Sequence, residues 1–205
     1  MEIKTTEKRN FIDILKSNIK VIITIIISLV VLISFYSWFK YKENLKKNDL
    51  SEKYIEAKIL LSQKNNNDAL LLLNKIIEEG DGTYSTLSLY LIIDQEMEKD
   101  EKKILSYFDK ILSIGNLKKD DLDLLKLKKA IFISDNAKED ELLDLLNPII
   151  NSKSAWKVQA TIFIGDYYYS KKQFNKAEQY YSSLLSLEDT NVNKKEIQNK
   201  IKNFK

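Results

Sequence analysis

Two short runs of carboxylates are the residues whose types and spacing come closest to a chemical site. The runs are Asp120, Asp121 and Asp123, and then Glu139, Asp140 and Glu141. Each run falls in the first turn of a predicted helix, where negative charge stabilises the helix dipole. Neither has the spacing of a calcium-binding loop or of a paired general acid and base. We therefore interpret both runs as helix-stabilising rather than catalytic.

The amino-acid types that most often carry catalysis are missing from this chain. It has no histidine and no cysteine, which rules out a Ser-His-Asp triad, a catalytic thiol, a disulfide and a zinc-thiolate site. No glycine loop with phosphate-binding spacing occurs either. We predict that the protein is not an enzyme and that it holds no cofactor and no metal.

The element that organises the chain is an apolar stretch near its start. Residues 21–39 are 19 uncharged residues between Lys20 and Lys40. A helix of this length rises roughly 28 Å, close to the ~30 Å thickness of the hydrocarbon core of a bilayer. We predict one transmembrane helix over residues 21–39, followed by a helical domain in residues 40–205.

A cleaved signal peptide is the competing interpretation of this stretch. Its apolar core is shorter, roughly 7–15 residues, and small residues follow it. Here bulky aromatic residues, among them Trp38 and Phe39, end the stretch, so we expect an uncleaved anchor. Flanking charge does not orient it, because four basic residues lie in the 15 positions before the span and five in the 15 after it.

Residues 1–20 form a short polar tail. Phe11, Ile12, Leu15 and Ile19 fall on one helical face, which suits a helix lying on the bilayer surface. A frayed tail fits equally well.

The residues after the span carry 28 basic and 27 acidic side chains, and the only arginine in the chain is Arg9. Such a neutral domain lacks the basic surface of a nucleic-acid binder.

The chain after the span is helical throughout, because only four glycines and one proline interrupt it and apolar residues recur at helical spacing. The first helix continues from the anchor to about Gln63, and a last amphipathic helix carries Ile197, Ile201 and Phe204. Between these two the pattern predicts seven helices. The first of them ends before Gly80, the second covers about 84–97, and the third runs from Asp100 to before Gly115. The remaining four cover about 120–133, 138–146, 154–170 and 174–187.

The helices repeat in pairs. In the last pair Gly165, Tyr168, Ala177 and Tyr181 match the tetratricopeptide pattern of a small residue, a tyrosine, an alanine and an aromatic residue. The small residues let two antiparallel helices cross closely, and the large ones fill the space beside them. The equivalent residues of the first pair, 108 residues earlier, are Ala57, Leu60, Ala69 and Leu73. We predict an all-α fold, a tetratricopeptide-like α-solenoid of about four hairpins with a C-terminal capping helix; an irregular helical bundle is the alternative.

A solenoid of this type has a concave face, lined by the first helix of each pair, on which a peptide can lie. The residues that we predict to line it are Tyr54, Lys58, Gln159, Asp166 and Tyr169. We therefore expect function to come from a binding surface.

Five tyrosines near the carboxyl end resemble an aromatic cage for a ligand. They are Tyr167, Tyr168, Tyr169, Tyr180 and Tyr181. Since Tyr168 and Tyr181 fall on core positions of the repeat, we predict that these two rings pack in the core.

The order of these elements resembles one known family. A short tail, one span and a tetratricopeptide-like domain with GDYYYSKKQFNKAEQYYSSLL from Gly165 are similar to the bacterial ancillary SecYEG translocon subunit family. The segment GTYSTLSLYLII from Gly82 resembles the family's small-residue-rich helix after the first hairpin. The resemblance implies an inner-membrane adaptor with a cytoplasmic tail and a periplasmic helical domain. Its implied partners are translocon subunits and periplasmic chaperones, which it contacts during protein export.

Two other roles stay open. The domain fits a scaffold that joins envelope-assembly or cell-division proteins, and it also fits a cytoplasmic import or chaperone receptor, because the flanking charges set no orientation. All three roles require the lipid bilayer and other proteins as partners.

Overall fold

The computed structural model describes residues 18–115, 117–187 and 193–202, and it places nine α-helices and no strand in them. In chain order they are α1 (Ile19–Ser62), α2 (Asn66–Glu78), α3 (Tyr84–Asp94), α4 (Glu101–Leu112), α5 (Lys119–Ile133), α6 (Glu139–Ile150), α7 (Lys157–Ser170), α8 (Phe174–Leu185) and α9 (Lys194–Lys202). The all-α prediction is confirmed for these residues. Residues 1–17 of the predicted tail lie outside them.

The chain divides into two compact units, and the boundary lies within α1, between Glu52 and Lys53. The sequence predicted a domain boundary after Phe39, earlier in the same helix. The prediction that the anchor helix runs on without a break is confirmed, since α1 is one helix of 44 residues.

The first unit carries the apolar part of α1. Its large side chains are exposed along the whole stretch, from Val21 at 58% to Phe39 at 56%. In the part of the chain that the structure describes, α1 alone is long and apolar enough to cross a membrane. Lys40 and Lys47 follow it and pair with Glu43 at 2.7 and 3.1 Å.

Asparagine and aspartate side chains cap the starts of two helices. The side chain of Asn65 accepts a hydrogen bond from the Asp68 amide at the start of α2, and that of Asp100 accepts one from the Lys102 amide, at 3.0 Å, at the start of α4. Each satisfies an amide that the first helical turn leaves unpaired.

Helix α3 ends at Asp94, whereas the sequence predicted that it continues to Met97. Glu96 adopts a left-handed conformation with φ of 48°. Its amide donates to the Ile93 carbonyl at 3.1 Å, and the Met97 amide donates to Ile92 at 3.0 Å. This crossed pair of bonds is a Schellman ending, which usually has glycine at the left-handed residue. A glutamate at this position carries no sequence signal for a helix end, so the predicted end at Met97 is wrong.

The turns that end α1 and α7 have the same geometry, 108 residues apart. Lys64 and Lys172 adopt φ of 62° and 61°. The next amides, of Asn65 and Gln173, donate to Leu60 and Tyr168, both at 2.9 Å. The first and last predicted hairpins therefore share one local structure, in the register that the sequence pattern sets.

We expect Lys172→Gly to raise the free energy of unfolding by about 0.5–1 kcal/mol, because glycine adopts a left-handed conformation without the Cβ strain that lysine carries. Urea unfolding of the full chain in detergent, followed by circular dichroism, measures the change. The control is Lys171→Gly, at the preceding residue with φ of −82°; it should lower stability. Equal effects of the two substitutions would contradict the turn geometry.

The predicted end of the sixth helix at Asn147-Pro148 is wrong. Helix α6 continues to Ile150 with Pro148 inside its last turn. Proline removes only one backbone bond there, and Ile149 is fully buried beside it. The Asn151 amide still bonds to Asn147, at 3.0 Å. Burial of Ile149 offsets the lost bond.

From α2 to α9, each helix packs against the next one in the chain. A core cluster lies in the second half, around Leu142, Leu146, Tyr168 and Tyr181. Phe108 of α4 is also fully buried, with its ring centroid 5.9 Å from that of Phe132 in α5. Packing between sequence neighbours thus accounts for most of the core.

Helices two apart in the chain also meet. Side-chain contacts join each odd-numbered helix, or the turn before it, to the next: Tyr54 with Tyr84, Tyr90 with Lys128, Asp120 with Trp156, and Asp166 with Lys200. Among the even-numbered helices, Tyr107 of α4 donates to Asn74 of α2 at 2.7 Å, and Lys176 of α8 pairs with Glu139 of α6 at 2.7 Å.

Helix α9 covers part of the predicted last helix. Ile197 is buried and Ile201 is half-buried, as their spacing indicated, while Phe204 lies outside the described residues. Both isoleucines pack in the cluster that holds Tyr168 and Tyr181.

Candidate protein-binding site

Two of the predicted groove residues lie near the end of α1. The ring centroid of Tyr54 is 6.3 Å from that of Tyr84 in α3, and burial raises the pKa of Tyr54. Lys58 is exposed one turn further on. Tyr54 is thus held in part by α3, while Lys58 is accessible to a partner.

The other three lie on α7 and differ from one another. Gln159 is exposed, and Tyr169 is 41% exposed with its ring centroid 5.5 Å from that of Phe174. Asp166 accepts hydrogen bonds from Lys200 Nζ, at 2.6 Å, and from the Tyr181 hydroxyl. Its carboxylate therefore joins α7, α8 and α9 within the fold, and a partner has to compete with these bonds.

The predicted repeat-core residues are nearly all buried. Leu60 is half-buried; the other seven are Ala57, Ala69, Leu73, Gly165, Tyr168, Ala177 and Tyr181. Gly165 lies against the Tyr181 ring so closely that a Cβ atom there would be 2.6 Å from Tyr181 Cε1. Helices α7 and α8 cross at this glycine.

The tyrosine cluster is mainly packing. Tyr168 stacks on Tyr180 with ring centroids 5.5 Å apart, and its hydroxyl donates to Glu139 at 2.8 Å. Burial raises the pKa of both Tyr168 and Tyr181, so both hydroxyls stay protonated and act as donors. Tyr169 is the exposed member.

Glu139 joins three helices through one carboxylate. Lys176 Nζ and the Tyr168 hydroxyl both donate to it, and Lys176 also lies 4.9 Å from the centroid of the Tyr168 ring. The hydrogen bonds from Lys176 and Tyr168 hold the pKa of Glu139 below its usual range. The ion pair is partly exposed, so its contribution to stability is small.

We expect the stabilisation from Glu139 to be present above about pH 4.3, the usual glutamate pKa, and to be lost as the pH falls through its lower folded-state value. Urea unfolding at pH 7 and pH 3 should show wild type roughly 0.5 kcal/mol more stable than Glu139→Gln at the higher pH only. In a Lys176→Met background the pH dependence of this difference should shrink. A difference that does not change with pH would contradict the assignment.

The carboxylate runs do not form a metal site in the described residues. Asp120 and Asp121 are exposed in the first turn of α5, as expected, but Asp123 is buried and its Oδ2 has no hydrogen-bond partner among those residues. It lies one and two turns before Leu127 and Ala130, on the buried face of α5. The prediction that Asp123 stabilises the first turn of its helix is therefore wrong, because Asp123 lies beyond that turn and is buried.

A cavity of about 520 Å³ lies between α4, α5 and α6. Its apolar lining consists of half-buried side chains: Leu105, Phe132, Ile133, Ala137 and Leu145. Its charged lining consists of Glu101, Asp109, Lys129, Glu141 and Asp144. Sequence reasoning missed this site. The signal was the spacing of Glu101, Leu105 and Asp109 along one face of α4.

The cavity lining is acidic, whereas the whole domain is nearly neutral. The lining in the described chain has four carboxylates and one lysine, and Lys129 pairs with Asp109. All four acidic residues are exposed. Apolar surface edged by negative charge can bind a segment of opposite charge that has apolar side chains.

The candidate sites in the described residues are thus the exposed positions of the predicted groove and the cavity between α4, α5 and α6. Comparison of the chain with protein-family models, with curated proteins and with solved structures gives no match.

Proposed function

We propose that this chain is a membrane-anchored, tetratricopeptide-like adaptor that binds other proteins. The observation that carries the proposal is the shared register of the first and last hairpins. The left-handed Lys64 and Lys172 are 108 residues apart, and so are the buried small residues Ala57 and Gly165 that precede them. Two pairs of helices with the same turn and with a buried small residue at the same position before it are what repetition of one hairpin produces.

The contacts between helices support a stack of such hairpins. Odd-numbered helices contact the next odd-numbered ones, and from α2 to α9 consecutive helices pack together. In a solenoid each repeat contacts its neighbours in this way, so the odd-numbered helices form one layer and the even-numbered helices the other.

The exposed apolar stretch of α1 supports the anchor. Leaving side chains such as Leu32 and Ile33 more than 60% exposed in water is unfavourable by about 25 cal/mol per Å² of apolar surface. A bilayer removes this cost, and the aromatic residues Tyr36, Trp38 and Tyr41 suit its interface.

The partner that we propose is the SecYEG translocon, together with periplasmic chaperones, on the resemblance of the sequence to the ancillary translocon subunits. Anchoring in the inner membrane, with the helical domain in the periplasm, holds the domain at high local concentration near membrane partners. A weak contact then becomes a frequent one.

Photo-crosslinking in cells tests the binding surface. A crosslinking amino acid replaces Lys58 or Gln159, both exposed on the predicted groove helices, and Asn175 on α8 is the exposed control. We expect protein adducts from the first two positions, including a translocon subunit, and none of them from position 175. Adducts only with cell-division or envelope-assembly proteins would favour the scaffold role. Identical adducts at all three positions would contradict the groove.

A further inference from the structure

We propose that the cavity between α4, α5 and α6 binds a basic, amphipathic segment of a partner protein. The site lies on different helices from the predicted groove. The proposal rests on the proposed function in one respect only, that the occupant is a segment of a protein.

The apolar surface of the cavity is held in place by the fold. Phe132 is positioned by Phe108, which is fully buried, and the Lys129–Asp109 pair joins α5 to α4. Leu105 and Leu145 add apolar surface from α4 and α6 and are only half-buried. These side chains lose their remaining contact with water when an apolar side chain enters. Removal of this apolar surface from water is the main favourable term in binding.

The size and setting of the cavity fit a few side chains of a larger ligand. A volume of about 520 Å³ holds two to four apolar side chains, roughly the set that a short helix presents at i, i+3, i+4 and i+7. Three helices supply the lining, and the exposure of its acidic residues means that the cavity opens to solvent.

The negative charge of the lining favours a cationic occupant. Glu101, Glu141 and Asp144 contribute exposed carboxylates, and the only cation in the lining, Lys129, is already paired with Asp109. Like charges gathered in this way repel one another, and a cationic ligand relieves the repulsion. Lysine or arginine at the edges of an apolar helix face therefore complements the cavity in both charge and polarity.

Fluorescence anisotropy with the full chain in detergent tests the proposal. The probe is a labelled peptide of about three helical turns, with leucine on one face and lysine on the other. Asp144→Lys should weaken binding on the order of tenfold. Glu56→Lys makes the same charge reversal at an exposed position of α1, a helix that contributes no described residue to the cavity lining, and it should leave the affinity unchanged. Because micelles are present with each variant, binding of the peptide to detergent cancels in this comparison.

Two further arms separate the contributions of charge and apolar surface. Ala137→Phe fills the cavity without changing charge and should also weaken binding. A counterpart peptide with glutamate in place of lysine should bind far less, and spermine, a polyamine without an apolar face, should not displace the lysine peptide. Circular dichroism confirms that each variant is folded; if Ala137→Phe is not, the Asp144→Lys comparison decides alone.

Equal binding of the peptide to wild type and Asp144→Lys would overturn the proposal, and so would displacement by spermine at similar concentrations. This result is independent of the membrane orientation and of crosslinking at Lys58 and Gln159, because the assay uses the purified chain. A failure of the adaptor proposal and a failure of this site are therefore distinguishable.

Discussion

Gly165→Leu is expected to unfold the last hairpin or to destabilise it by about 3 kcal/mol or more. A single added Cβ would already lie 2.6 Å from Tyr181 Cε1, and the Tyr181 ring is buried with its hydroxyl bonded to Asp166. Neither the ring nor the helix backbone has space to move away. Overpacking a well-filled core typically costs 1–3 kcal/mol, and more when the neighbours are rigid.

Urea unfolding of the full chain, followed by Trp156 fluorescence and circular dichroism, measures the effect. Gly115→Leu is the control, since among the described residues, chain neighbours aside, no atom lies within 4 Å of the Cβ position there. We expect it to change stability little. A second variant, Gly165→Ala, should cost less than leucine, because alanine adds only the Cβ atom to the crowded site. Similar stabilities for Gly165→Leu and Gly115→Leu would contradict the close crossing of α7 and α8.

The double substitution Ile27→Lys and Val31→Lys is expected to release the chain from the membrane fraction. Both side chains are exposed in the middle of the apolar stretch, at 58% and 61%. A lysine at the centre of a transmembrane helix costs about 2.5–3.5 kcal/mol, so two of them oppose insertion strongly. Carbonate extraction of membranes, followed by detection of the chain in pellet and supernatant, measures the shift.

Ile55→Lys with Ile59→Lys is the matched control. These two isoleucines have the same spacing on the same helix and are similarly exposed, at 55% and 50%, but they lie beyond the apolar stretch. The control chain should stay in the membrane pellet. Release of both chains, or of neither, would contradict the position of the span.

The helical content and most helix positions could be predicted from the sequence, because apolar residues recur at helical spacing. The apolar stretch of α1 and the start of α4 at Asp100 are examples. The helix ends were harder. Glu96 takes a conformation that glycine usually takes, and α6 passes through Pro148 since Ile149 is buried next to it. Both outcomes depend on tertiary contacts that local residue preferences do not contain.

The candidate sites were less predictable. A repeat register places Lys58, Gln159 and Asp166 on a helix face, but it does not reveal that Asp166 bonds to Lys200 and Tyr181. Asp123 belongs to a run of acidic residues in the sequence, but it lies on the buried face of α5. The cavity needs three consecutive helices packed together, so the spacing of Glu101, Leu105 and Asp109 on one face of α4 does not predict it alone.

Protease accessibility of the full chain, with a tag at each end, tests whether α1 anchors the chain with its helical domain in the periplasm. The assay uses bacterial cells in which the outer membrane has been opened and the inner membrane is intact. We expect the carboxyl-terminal tag to be digested while the amino-terminal tag survives on a membrane-bound fragment. Protection of the carboxyl-terminal tag until the inner membrane is lysed would rule out a periplasmic domain, and loss of the amino-terminal tag by cleavage of the span would rule out the anchor.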